Sequence, residues 1–226
     1  MRRCPLCLRL DTRLFHQDKK RSFHSCGHCS LVFADGGAHL PPQAIRSRYG
    51  RGGSLENQRN LPQFVLPLLH ELAQQSQSSL SGLNYGRLLD DETLTLIEEA
   101  GHRLKQYEPF VAPDTEALQQ QYDFICCYRV FEHFGAPHRE WQLFQRLLNE
   151  GGYLALSTRL LTDPERFGKW HHKNNLAHVS FPSRETFEYL AAHSGFRLIF
   201  AENDLILMQK ASGSAIKRDP NLTPGN

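Results

Sequence analysis

Tyr122-Asp123-Phe124-Ile125-Cys126-Cys127 is an apolar run, and Gly151-Gly152-Tyr153-Leu154-Ala155-Leu156-Ser157 repeats the pattern one helix-length later. Short apolar runs with little polar alternation belong to strands covered on both faces. Between them, 138–149 carries a helical pattern that stops at the Gly151-Gly152 turn. Upstream, Gly82-Leu83-Asn84-Tyr85 predicts a strand and 91–100 a helix closed by Gly101. Arg103–Tyr107 predicts a second strand ended by Glu108-Pro109, and 114–121 a further helix. Downstream, Ser183–Ser194 predicts a helix capped by Gly195. Strands Phe196–Ala201 and Leu205–Gln209 follow, around the turn Glu202-Asn203-Asp204. This alternation implies an α/β fold, a doubly wound and mostly parallel sheet with helices on both faces. Cys126 and Cys127 are adjacent on one strand, so they point to opposite faces and cannot share a metal. They read as small buried hydrophobes.

Toward the N-terminus, Leu61, Phe64, Val65, Leu68, Leu69 and Leu72 recur at helical spacing within 57–75. A second short helix is expected at 43–49, and Arg51-Gly52-Gly53-Ser54 is a break. Cys4-Pro-Leu-Cys7 and Cys26-Gly-His-Cys29 are two C-x-x-C knuckles at the separation of a zinc ribbon. Zinc favours a tetrahedron of thiolates, and four protein ligands leave no open position, so the expected zinc is structural. Arg13–His16 and Arg21–His24 read as strands joined by Gln17-Asp18-Lys19-Lys20, with His28 a donor to a ligand sulfur. The predicted organisation is a ribbon at 1–35, a linker and helical segment at 36–80, the α/β domain at 81–210, and a disordered tail at 211–226.

The chain of 226 residues is 40% hydrophobic and 22% charged with a net charge of +2, so no global field points to nucleic acid. The local run Lys19-Lys20-Arg21 reads as a solvated hairpin tip or as an RNA contact. No apolar run approaches the roughly 18–20 residues that span a bilayer, and no membrane partner is expected. The start shows no apolar signal core, so a cytoplasmic location with reduced thiols is expected.

The cysteine knuckles, the run Tyr122–Phe134 and the segment Leu147–Thr158 resemble bacterial class I S-adenosylmethionine-dependent methyltransferases that carry an N-terminal zinc ribbon. That subgroup shows W-H-Y-K-N-D-x-T-H-V-x-F-x-S after its fifth strand. The similar stretch here is Trp170-His171-His172-Lys173-Asn174-Asn175-Leu176-Ala177-His178-Val179-Ser180-Phe181-Pro182-Ser183. The resemblance spans 1–210 and implies a Rossmann-like sheet with the cofactor beyond its carboxyl ends. Tyr85 and Gly86 would meet the methionine moiety and Glu108 the ribose hydroxyls. Arg129, Glu132 and His133 would stand where cofactor and acceptor meet. His171 or His178 would act as base, and Trp170 would wall the acceptor pocket. The implied acceptor is a small molecule, with a macromolecule as the other option, and RNA binding through the ribbon is a third, separate reading. The ribbon reads as an appendage whose loss leaves the sheet folded.

The sequence departs from the pattern in two places. The glycine-rich first loop, close to G-x-G-x-G in the family, reads Gly86-Arg87-Leu88-Leu89-Asp90-Asp91, which places leucines and carboxylates in the cofactor's space. Asp90 and Asp91 also suit the start of the next helix. In the later stretch, His172, Asn175 and Ala177 replace Tyr, Asp and Thr. Methyl transfer is thus weighed against a non-catalytic binding or scaffolding module. No ligand pair at helical spacing marks a second metal among these histidines and carboxylates.

Overall fold

The computed structural model describes residues 2–41, 43–44, 61–75, 78–109 and 113–212. The expected helix beyond 44, the break at 51–54, the start of the apolar helix at 57–60 and the tail beyond 212 lie outside the described residues. Six strands form the main sheet: β4 (Ser81–Tyr85), β5 (Arg103–Tyr107), β6 (Tyr122–Tyr128), β7 (Leu148–Ser157), β9 (Phe196–Glu202) and β10 (Leu205–Lys210). Their order is β5-β4-β6-β7-β10-β9. β5, β4, β6 and β7 run parallel, and β10 is antiparallel to both of its neighbours. The chain steps outward from β4 to β5 and returns to β6 on the other side. The strand order therefore reverses between β4 and β6, where such sheets bind ligands.

Helices cover both faces. On one face, α1 (Leu61–Gln75) and α2 (Asp91–Glu99) bury Phe64, Leu68 and Ile97 against Phe124, Cys126 and Tyr128. On the other, α3 (Pro137–Leu147) and α4 (Arg184–Ser194) bury Trp141, Phe144 and Phe187 against Ile125 and Cys127. The two adjacent cysteines thus enter opposite cores, as strand alternation requires. Burial pushes the Cys126 thiol up to about 12 and Cys127 upward as well. Local signals set the ends of α2 and α4. Asp90 caps α2 by accepting from the Thr93 N–H, Ser183 and Thr186 form a capping box on α4, and Gly195 closes α4 in the left-handed region. Asn203 and Asp204 both have positive φ, the two-residue turn that matches strand twist between β9 and β10.

The second sheet holds β1 (Thr12–Gln17), β2 (Ser22–Cys26), β3 (Val32–Ala34) and β8 (Ser180–Phe181), in the order β1-β2-β3-β8. The expected hairpin is β1–β2; β3 and β8 are additions. β8 comes from the Trp170–Ser183 stretch and pairs with β3 through Val32–Phe181 and Phe33–Ser180. Two predicted elements differ. The helix expected at 114–121 is a 3-10 turn at Thr115–Leu118. The Gly151-Gly152 turn lies inside β7, which already begins at Leu148. There the register with β6 jumps from Tyr122–Leu148 to Phe124–Tyr153. Gly151 has φ of +78°, and a Cβ on Gly152 would come within 2.9 Å of the Asp123 and Asn149 carbonyls. The glycines serve a bulge in the strand, where the backbones approach closely.

Candidate functional site

The crevice between β4 and β6 is built from backbone first. Gly86 follows β4 with φ of +105°, and a Cβ there would stand 2.5 Å from Val130 Cγ2. Its N–H donates to the Tyr107 carbonyl at 2.8 Å. The loop beyond is tied down by two amides. Asn84 Nδ2 donates to the Arg87 carbonyl at 2.8 Å, and Gln106 Oε1 accepts from the Leu89 N–H at 2.8 Å. Leu89 is thereby turned into the core among Ile97 and Phe124, while Asp90 and Asp91 begin α2. Of the four side chains expected to fill the cofactor's space, Leu88 alone stays neither buried nor committed to the helix start. Glu108 is buried at the end of β5, and Tyr85 stacks on Tyr107 with ring centroids 5.3 Å apart. A glycine passage beside an acidic strand end fits a nucleoside cofactor.

Beyond β6, Arg129 has φ of 48° and its N–H donates to the Ser157 carbonyl. The 3-10 turn Phe131–His133 then brings Glu132 and His133 against the later loop. One ligand atom each of Glu132, His133 and His178 falls within 4.8 Å of the others. Thr158 Oγ1 donates to Glu132 Oε2 at 2.8 Å. His133 Nδ1 meets the Ala177 carbonyl at 3.1 Å, and His178 Nδ1 meets the His172 carbonyl at 2.8 Å. A carbonyl only accepts, so both Nδ1 atoms carry the proton. Asn175 Nδ2 donates to His178 Nε2 at 3.0 Å. His172 packs on His178 at 4.1 Å and on Trp170 at 4.9 Å between centroids. Burial lowers His133 and His178 to about 4 and His172 to about 2, so all three are neutral near pH 7.

The loop bearing these histidines is held by the small sheet. Arg21 is only 5% exposed, and its guanidinium donates to the carbonyls of Lys173, Asn175 and His178. Lys173, itself buried, pairs with Asp18 at 3.1 Å. Burial alone would raise Asp18, but the Lys20 and Arg21 N–H groups and the Lys173 ammonium bring it down to about 2. The run Lys19-Lys20-Arg21 is therefore not simply a solvated tip, because Arg21 points inward and clamps the loop.

All four knuckle cysteines are buried, with one sulfur of each within 4.8 Å of the rest. The Cys4–Cys29 and Cys7–Cys26 sulfurs lie 3.5 Å apart. A zinc tetrahedron with bonds of ~2.3 Å has edges of about 3.8 Å, so the donor set fits that ion. Each knuckle ends in a left-handed residue, Leu8 or Ser30, whose N–H returns to Cys4 or Cys26. The His28 backbone N–H donates to Cys26 Sγ at 3.4 Å, while its ring lies edge-on to Tyr189. The expected sulfur donor is thus His28's backbone.

Tyr85, Gly86 and Glu108 thus stand at the ends of β4 and β5, while Glu132, His133 and His178 form a second cluster between the turn after β6 and the later loop. His171 is exposed on the 3-10 turn His171–Asn174 and joins neither cluster. Trp170 packs with Phe167 and Phe181 beside His172. Arg129 borders a cleft of about 570 Å³ that also involves Tyr128, Ser157 and Asn203. Sequence reasoning missed Thr158 and Arg21, whose roles rest on partners 26 and more than 150 residues away.

A family model described as "Methyltransferase domain" matches residues 57–200. No curated protein matches the sequence. Among solved structures, 1,6-didemethyltoxoflavin-N1-methyltransferase of Burkholderia thailandensis is similar with a TM-score of 0.55 at 13% identity. That match covers 88% of this chain and 100% of that one. An O-methyltransferase family protein of the same organism is similar with a TM-score of 0.48 at 12% identity, covering 76% of this chain and 63% of that one.

Proposed function

The chain belongs to the methyltransferase-domain family, of the class I S-adenosylmethionine-dependent type, and from that membership we propose that it methylates a small-molecule acceptor in the crevice beyond β4 and β6. One observation carries this reading. Gly86 and Glu108 close the ends of neighbouring strands, and Val130, which packs on Gly86, leads directly into Glu132 and His133. S-adenosylmethionine, when bound, supplies a methyl group activated on sulfonium sulfur. Glu108 would accept hydrogen bonds from the ribose hydroxyls, and Tyr85 and Gly86 would lie against the methionine moiety. Glu132, His133 and His178 orient the acceptor and favour its deprotonated form, with Trp170 and His172 as its wall. His171, at the surface, is set aside as the base. Most of the protein's contribution is alignment of two reactants. Zinc at Cys4, Cys7, Cys26 and Cys29 would be structural, and through Arg21 and β3 the ribbon would hold the histidine loop in place.

Isothermal calorimetry tests the reading. The wild type is expected to bind S-adenosylmethionine and S-adenosylhomocysteine, and Glu108→Ala to weaken both about tenfold or more through lost charge-assisted hydrogen bonds. No heat at millimolar ligand would sink it. The one-glycine loop favours a second reading, a binding or scaffolding module that keeps the fold without turnover. That reading predicts no labelled methyl on any small molecule of a cell extract.

A further inference from the structure

Glu132 is 3% exposed, and among the described residues no lysine or arginine forms an ion pair with it. Buried carboxylates are ordinarily compensated by a paired cation or a metal. The atoms around it are those a metal site requires. His133 and His178 each donate Nδ1–H to a backbone carbonyl, which fixes both rings as the tautomer with its lone pair on Nε2. Thr158 orients the carboxylate in the same way. All three candidate ligands thus have the outer hydrogen-bond partner that characterises metal-ligating side chains. We propose that Glu132, His133 and His178 bind a divalent first-row metal ion between the turn after β6 and the later loop, separate from the four-cysteine site.

Two imidazoles and one carboxylate suit manganese, iron, cobalt or zinc better than calcium, and three protein ligands leave positions open for water or an acceptor oxygen. One ligand atom of each of the three side chains already lies within 4.8 Å of the other two, and an ion between them would draw them closer. Asn175, on the exposed side of the loop, must release His178 Nε2 when the ion enters. The absence of helical spacing hid this site from the sequence, because its ligands come from a 3-10 turn and a loop 45 residues later. The proposal deepens the methyl-transfer reading and rests on it only for the acceptor; ion binding stands by itself.

The test uses the full chain with zinc retained at the cysteines, verified by elemental analysis, and Mn²⁺ alone as probe. The wild type is expected to remove one equivalent of Mn²⁺ from the free-ion electron paramagnetic resonance signal. Electron spin-echo modulation of the bound ion should then show two imidazole nitrogens. Glu132→Gln and His178→Gln should each weaken binding about tenfold or more, with circular dichroism confirming the fold. The nitrogen signature keeps the test decisive if a variant fails to fold. Mn²⁺ left free by the wild type, bound Mn²⁺ without imidazole nitrogen, or folded variants that bind as the wild type does would each overturn the proposal. Calorimetry with S-adenosylmethionine in metal-free buffer reads the methyl-transfer hypothesis separately, so the two can fail independently.

Discussion

Gly86 shows how one residue serves two constraints. Its φ of +105° lies where a side chain is strained, and a Cβ would press on Val130. Gly86→Ala is therefore expected to cost about 2 kcal/mol or more, from backbone strain plus overpacking. Pairing it with Val130→Ala should recover the packing share and leave the backbone share. Urea unfolding of the two variants measures this, and an unchanged midpoint for Gly86→Ala would contradict it. The glycine itself was legible as the remnant of a family loop. Its partner Val130 was not, because the contact crosses from one strand end to the next. Leu89, unlike Leu88, leaves the space expected of it for a related reason. Leu89 faces the core because Gln106, on the neighbouring strand, holds its N–H.

Among the elements, the junction that carries the chain from α2 into β5 depends on His102. Its Nδ1 accepts from the Leu80 N–H at 3.3 Å, so the ring must be neutral there, and burial holds its pKa below 6.5. As pH falls, the unfolded chain takes up this proton first. The contribution to stability is complete above the unfolded value and declines as pH drops toward the folded one. His102→Asn keeps an acceptor and removes the titration. Between about pH 7 and about pH 5 its urea midpoint should fall less than the wild type's; parallel curves would contradict this. Most strands and helices were legible from periodicity and from Asp90, Ser183 and Gly195. The two-residue β8 and the early start of β7 were not. Each is set by a partner strand, β3 in one case and the bulged register with β6 in the other.

At the scale of the molecule, the ribbon's position revises its meaning. Its four cysteines and Leu31 belong to the same buried cluster as Ile125, Phe131 and Phe187 of the main domain. β3 pairs with β8, and Arg21 clamps the loop that carries His178. The sequence reading of a separable appendage gives way to a different expectation. With zinc at the four cysteines, as proposed, a chelator should lower the unfolding temperature of the whole domain and speed hydrogen exchange at 173–181 as well as at 2–34. Loss confined to the N-terminal segment would contradict this. The knuckles were legible because C-x-x-C spacing is local, whereas their docking depends on contacts more than 100 residues apart. On the proposed function, the crevice between β4 and β6 would hold the cofactor. A crystal structure with S-adenosylhomocysteine tests it most directly. Density is expected in that crevice, with the ribose at Glu108 and the homocysteine portion along Gly86. Density in the cleft beside Arg129 and Asn203, or none at saturating ligand, would contradict it.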